Sequence, residues 1–251
     1  MDTARAKKRK KKKGRKSSGR ERVCRTKDDD ADRTVEGAPS IQLDLMRIFA
    51  RRSKYEREKK SALLDSDNIF EIRDFLTKDE CRATIDIIER VGFKVTDQRK
   101  TRYYARRRNG RLQVDAPKLA ASLWERCKQF FPVMTESGAR AVGLSPNFRF
   151  YKYEVGDRFG MHVDESVDHG SGTRSMYTLL VYLNASPDVR GGSTVFYVGE
   201  VPAKAKEVLR FPPREGSALA HIHGPRCLLH EGSVVKAGVK YLMRTDALYS
   251  L

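Results

Sequence analysis

The chain has 251 residues, 39% hydrophobic and 33% charged, enough to bury one substantial core, and a formal net charge of +18. Residues 1–40 hold 15 Lys and Arg against 7 Asp and Glu, so +8 of that charge sits on a short N-terminal stretch. No apolar run is long enough to span a bilayer and no signal-peptide segment opens the chain, while Cys24, Cys81, Cys127 and Cys227 lack CxxC spacing and are too sparse for a disulfide scaffold. The expectation is a soluble, intracellular protein with reduced thiols and no membrane partner.

Lys7 to Lys16 is a block of like charge with nothing apolar to fold around, so residues 1–40 read as a basic disordered tail. The block is either a nuclear or nucleolar address, a polyanion-binding arm, or a solvated tail without a specific partner. Residues 41–66, with Ile41, Leu45 and Phe49 leading into a charge-dense run, read as a charged helical linker. Residues 67–251 read as the main folded domain.

Within that domain, Ile69 to Phe75 suggests a strand, and Thr77 to Glu80 carries a capping-box pattern opening a helix that ends near Gly92. A second helix is expected from Pro117 to Phe131. Between them, Arg99 to Arg111 mixes Tyr and Arg around Asn109-Gly110, a turn signal. That segment could face a substrate or nucleic acid, but a solvated loop is the favoured reading.

After Gly143 short strands follow in succession: Asn147 to Tyr153, Tyr177 to Leu183, Ser193 to Val198, Ala218 to His223, Arg226 to His230 and Lys240 to Leu248. The fold class expected is mainly β with flanking helices, a sandwich or barrel. In the first strand Phe148 and Phe150 share one face, Arg149, Tyr151 and Tyr153 the other.

Chemistry concentrates in His162-Val163-Asp164, because residues i and i+2 of a strand project to one face. Taken alone the pair is equally a surface hydrogen-bonded couple. If the strand carrying His230 packs beside it, two imidazoles and one carboxylate grip one face of an ion and leave the opposite face open, the donor set of non-haem Fe(II) oxygenases. His221 and His223 form a rival histidine pair on one strand face. His169 lies in a loop that reads as a lip over the site.

From about Gly143 to Tyr249 the chain resembles the iron- and 2-oxoglutarate-dependent dioxygenases, in their prolyl 4-hydroxylase-like branch. Four ordered blocks carry the resemblance. Tyr153, Gly156, Phe159, His162 and Asp164 match the first, and Thr178, Leu180, Tyr182, Leu183 and Asn184 the second. Gly191, Gly192 and Thr194 match the third, and His230, Gly232, Gly238 and Lys240 the fourth. The family pattern uses neither His221 nor His223 as a ligand.

The resemblance implies a double-stranded β-helix (jelly-roll) core. It implies Fe(II) on His162, Asp164 and His230, 2-oxoglutarate as co-substrate, ascorbate as reductant, and hydroxylation of a substrate C–H with release of succinate and CO2. The far carboxylate of 2-oxoglutarate, once buried, needs a cation. Lys240 is the matched residue, with the Tyr153 and Thr178 hydroxyls as added donors. Arg244 lies on the same strand face and is the second candidate. A prolyl residue of an intracellular protein is the leading substrate. The alternatives are nucleic-acid hydroxylation or demethylation, supported by the basic tail and the Tyr/Arg segment, and a binding module that has lost catalysis.

Overall fold

The structure, a computed structural model, describes residues 38–49, 67–101, 105–199 and 202–250. Cys24, the basic run Lys7 to Lys16, and residues 50–66 lie outside these. Among the described residues no helix is long and apolar enough to cross a membrane, and Cys81, Cys127 and Cys227 are free thiols.

Among the described residues, three α-helices form one layer. α1 (Ala38–Phe49) buries Ile41, Leu45 and Phe49, spaced by four so that they line one stripe. This helix starts ahead of residue 41 and packs into the domain core, so residues 38–49 are part of the globule instead of a linker. α2 (Lys78–Val91) opens on the expected capping box: Glu80 N donates to Thr77 Oγ1 at 3.1 Å and Thr77 N to Glu80 Oε2 at 2.8 Å. It closes at Gly92, which adopts φ 89°. α3 (Pro117–Cys127) starts on proline and passes into one 3-10 turn, Lys128–Phe130, shorter in α-form than expected. Buried Arg126 ties the three helices together, pairing Glu80 at 2.9 Å and donating to the Phe49 carbonyl at the end of α1.

The strands are β1 (Ile69–Ile72), β2 (Lys94–Gln98), β3 (Arg107–Asp115), β4 (Arg140–Leu144), β5 (Asn147–Tyr153), β6 (Arg158–His162), β7 (Asp168–Gly170), β8 (Thr173–Tyr182), β9 (Val189–Gly191), β10 (Thr194–Val198), β11 (Lys206–Phe211), β12 (Ala218–Ile222), β13 (Leu229–Gly232), β14 (Val235–Gly238) and β15 (Lys240–Ser250). The main sheet runs β1-β12-β8-β15-β5-β3-β6-β13-β10-β11, antiparallel at every pairing, with β9 and β14 forming a separate ribbon. The β3–β6 contact, Arg107 opposite Phe159, joins the helix-backed part to the part that curls over it. The result is the jelly-roll architecture the sequence implied.

Alternation along β5 divides two cores. Phe148 and Phe150 face the helices, in the large apolar cluster with Leu119, Leu123 and Phe131. Tyr151 and Tyr153 face the barrel interior, packed with Leu180, Tyr182, Phe196 and Leu242.

Asn109-Gly110 is not a turn. Both residues lie inside β3, Thr96 opposite Asn109 and Val95 opposite Gly110. A Cβ at Gly110 would stand 2.9 Å from Phe93 Cβ, so the glycine marks a close approach between strands. The segment is not simply a solvated loop either: Arg107 and Asn109 are buried, the Arg107 guanidinium 4.8 Å from the Tyr151 ring centre and 4.6 Å from that of Phe159.

Candidate metal centre

Strand pairing builds the site. His162, the last residue of β6, sits directly opposite His230 of β13, which brings together two residues far apart in sequence. Asp164 follows two positions after His162 on the same side. One donor atom from each of His162, Asp164 and His230 falls within 4.8 Å of the others, and all three side chains are buried.

Each imidazole is oriented by a carbonyl. His162 Nδ1 lies 2.7 Å from Gly160 O and His230 Nδ1 2.9 Å from Leu228 O, so each Nδ1 carries its proton and each Nε2 presents a lone pair. Burial pushes His162 down to about 3, an effect His230 reinforces and Asp164 opposes. His230 is also lowered by burial against the pull of Asp164. Neutral imidazoles are the form that binds metals.

The Asp164 oxygens differ. Oδ2 accepts from Thr178 Oγ1 at 2.6 Å and lies 3.2 Å from Arg244 Nη2, whereas buried Oδ1 has no hydrogen-bond partner and lies 3.7 Å from His162 Nε2. Burial alone would raise this carboxyl, but Arg244, then His230, His221 and His162 hold it well below the usual carboxylate range. An ionised, buried oxygen without a donor, 3.7 Å from the neutral His162 imidazole and with His230 close by, is a chemical match for a divalent cation.

Behind Asp164 runs a chain of hydrogen bonds. The single Thr178 proton goes to Asp164, so His223, 2.8 Å away through Nε2, donates to Thr178 and its Nδ1 faces Ser175 Oγ at 3.2 Å. Thr178 is thus engaged with Asp164 and His223. Arg244 reaches Asp164 with Nη2 and Asp246 Oδ1 with Nε at 3.2 Å, and Arg149 reaches the second Asp246 oxygen at 3.1 Å. Both candidate co-substrate residues on this face of β15 are buried, but Arg244 already grips two carboxylates.

Lys240 is arranged differently. It pairs opposite Tyr153 across β15 and β5, its ammonium 5.4 Å from the ring centres of both Tyr153 and Tyr182. Its Nζ donates to Gly192 O at 2.6 Å, and among the described residues no carboxylate pairs with it. Burial lowers it from 10.5 to about 7. Gly192 adopts φ +67°, and a Cβ there would stand 2.9 Å from Lys240 Cδ, so the second glycine of Gly191-Gly192 leaves room for the lysine stem. Asn184 clamps the lysine backbone: Nδ2 donates to Val239 O at 2.7 Å and Oδ1 accepts from Tyr241 N at 2.9 Å. Tyr153, raised to about 12 by burial with Arg107 opposing, lies beside the Asn109 amide.

Several polar groups here were not singled out from sequence. Asp246 and Arg149 follow from strand parity, since 244 and 246 share a face, as do 149, 151 and 153. Tyr182, a motif match in the sequence, lines the interior, and its hydroxyl donates to Thr194 at 2.7 Å close to Lys240. His221 joins the cluster as well, its Nε2 3.7 Å from Asp164 Oδ2. His169 lies on the short exposed strand β7.

Comparison with known proteins agrees with this geometry. Residues 148–245 match the model of the family described as the 2OG-Fe(II) oxygenase superfamily. No curated protein matches the chain in sequence. The fold resembles the viral collagen prolyl hydroxylase of Paramecium Bursaria Chlorella virus-1 in its 2OG complex, at 17% identity and TM-score 0.51, over 73% of this chain and 97% of that one. It resembles a prolyl hydroxylase from Trichoplax adhaerens in complex with a hypoxia inducible factor oxygen degradation domain peptide fragment, at 15% identity and TM-score 0.51, over 84% and 90%. A Pseudomonas putida prolyl-4-hydroxylase is similar at 17% identity and TM-score 0.50, over 72% and 92%. At these identities the likeness is one of fold. The family match spans residues 148–245, which include His162, Asp164, His230 and Lys240.

Proposed function

We propose that the chain hydroxylates an aliphatic C–H of a protein substrate, a prolyl residue first among them, with Fe(II) held by His162, Asp164 and His230 and the distal carboxylate of 2-oxoglutarate held by Lys240. The observation that carries this reading is the presence of two unmet demands on the inner face of the sheet. Asp164 Oδ1 is a buried carboxylate oxygen without a donor, and Lys240 is a buried amine that pairs with no carboxylate among the described residues. A divalent ion meets the first and a dicarboxylate the second.

Once bound, the iron and 2-oxo acid supply the oxidation, releasing succinate and CO2. The residues do the rest. His162 and His230 offer Nε2 lone pairs in fixed tautomers, and Thr178 and Arg244 hold the second Asp164 oxygen so that the first faces the ion. Lys240 supplies the charge that orients the co-substrate, with Tyr153 and Tyr182 walling the ammonium from water. Arg244 is assigned to positioning Asp164 and Asp246, because a guanidinium already shared by two carboxylates has less to offer a third.

A protein substrate is favoured because the solved structures sharing this fold include a collagen prolyl hydroxylase and one with a bound peptide fragment. Ascorbate is assigned as the reductant that restores the ferrous state. The test is succinate release with Fe(II), 2-oxoglutarate and ascorbate over a panel of proline-containing peptides and single-stranded oligonucleotides, followed by mass spectrometry for one added oxygen. Oxygen on a prolyl peptide supports the reading. Oxygen on the oligonucleotides alone, or turnover unchanged in Asp164→Ala, overturns it.

A further inference from the structure

We propose that His221, Cys227 and His230 form a second metal site, fitted to a thiophilic ion such as Zn(II) and mutually exclusive with the iron site because both need His230. The exclusivity rests on the assignment of His230 to iron, whereas the donor set itself does not.

His221 is 1% exposed, and neither ring nitrogen has a hydrogen-bond partner. His162 and His230 each commit Nδ1 to a carbonyl, and His223 is engaged by Ser175 and Thr178. A buried imidazole with both nitrogens unmet carries a desolvation cost that a bound ion would remove. Iron is not that ion. The Asp164 oxygen near His221 is Oδ2, 3.7 Å away and already held by Thr178 and Arg244, while Oδ1 is the oxygen left for iron. A fourth protein donor would also close the position that the iron needs for O2 beside a bidentate 2-oxo acid.

Cys227 supplies the partner. Its thiol is buried, with Sγ 3.8 Å from His230 Nδ1, and it accepts a hydrogen bond from the Asp164 backbone N–H at 3.3 Å. The His221 and His230 rings are 4.4 Å apart. One donor atom from each of His221, Cys227 and His230 falls within 4.8 Å of the others. Bonds of ~2.3 Å to sulfur and ~2.1 Å to nitrogen set tetrahedral donors roughly 3.5 Å apart, so small side-chain rotations close this set around one ion. The ion replaces the S–H proton, which leaves to solvent, and the Asp164 N–H remains to stabilise the thiolate.

The two sets sort ions by softness. Thiolate with two imidazoles suits Zn(II), and carboxylate with two imidazoles suits Fe(II). A neutral imidazole has one lone-pair nitrogen, so His230 serves one ion at a time whichever nitrogen it offers. A thiophilic ion therefore switches the enzyme off by drawing His230 out of the iron triad.

The test titrates Cd(II), a spectroscopic stand-in for Zn(II), into the metal-free full chain and reads the near-ultraviolet sulfur-to-metal charge-transfer band. The wild type should show the band of one thiolate per ion, and Cys227→Ser should abolish it. His221→Phe, which keeps a ring against Phe196 and His230, should weaken Cd(II) binding about tenfold or more. No band in the wild type, or a band that survives Cys227→Ser, overturns the proposal, and the wild-type spectrum decides even where a variant fails to fold. Fe(II) added first, without oxygen, should raise the Cd(II) concentration the band requires; an unchanged requirement overturns the exclusivity. Zn(II) inhibition of succinate release, taken against each protein's own uninhibited rate, should weaken about tenfold or more in Cys227→Ser, and unchanged inhibition overturns the switch. Asp164→Ala removes an iron ligand but none of these donors, so it should keep the band. Fe(II) binding indifferent to Asp164→Ala, with the thiolate band intact, overturns the iron assignment alone, which separates the two failures.

Discussion

The two sides of the main sheet are built from the same strands but to opposite ends. On the helix-backed side Phe148, Phe150, Leu179 and Val181 meet Leu119, Leu123 and Phe131 in a cluster that is almost wholly hydrocarbon. On the inner side the neighbours of those residues are Arg149, Thr178 and Leu180, and the barrel gathers His162, Asp164, His221, His223, His230, Lys240, Arg244 and Asp246, all buried. Burying such charges is costly unless they are paired, and here the pairing is partial, with Arg244 on Asp164 and Asp246 and Arg149 on Asp246. The outer side therefore supplies stability that the inner side consumes in holding polar groups ready for ligands.

The largest expected effect breaks the inner side alone. His162→Ala or Asp164→Ala should lower turnover by ~10³-fold or more while leaving the thermal transition near that of wild type, measured by succinate release and calorimetry. Lys240→Ala should come next, raising the KM for 2-oxoglutarate by roughly 30-fold or more, the scale of removing one partner of a buried charge pair. Arg244→Ala should instead weaken metal binding, and a larger KM effect from Arg244→Ala than from Lys240→Ala would reverse the assignment of the two cations. A change on the outer side, Leu123→Ala, should lower stability by about 2–5 kcal/mol with kcat of the folded fraction unchanged. Thr178→Val, which removes the hydroxyl holding Asp164, should weaken metal affinity by about 10- to 100-fold.

Acidity sharpens the contrast further. The folded chain holds Lys240 at about 7 against an ordinary 10.5, so between those values it binds fewer protons than the unfolded chain does. Stability without co-substrate should therefore rise as pH rises through that window. Binding should run the other way, because the carboxylate needs the protonated amine. The dissociation constant for 2-oxoglutarate should increase up to about tenfold per pH unit above 7, measured by calorimetric titration, and Lys240→Arg should flatten the profile, since a guanidinium stays charged.

Much of this was legible in the order of residues. The capping box at Thr77, the alternation in β5 and the spacing from His230 to Lys240 are local patterns, and local patterns survive folding unchanged. What the sequence could not give was any property that depends on what lies across a strand. Asn109-Gly110 has the composition of a turn, but the glycine answers to Phe93, which leads into the neighbouring strand β2. Arg99 to Arg111 reads as charge for solvent, but Arg107 ends up between two aromatic rings supplied by β5 and β6. Thr178 matched a motif position, yet its hydroxyl is engaged by Asp164 and His223, each from a different part of the sheet. The same holds for His221, whose company is set by β12 lying beside β8.

The direct pairing of His162 with His230 makes the site a gauge of how the sheet has been assembled. Side chains of a strand alternate between faces, so a slip of one residue between β6 and β13 would turn His230 away from His162 and leave a cavity that cannot hold an ion. Only the correctly aligned barrel can be loaded, and a metal that binds only that state stabilises it by mass action against every misaligned competitor. Iron supply would then act on this protein twice, once on the reaction and once on the yield of properly zipped molecules.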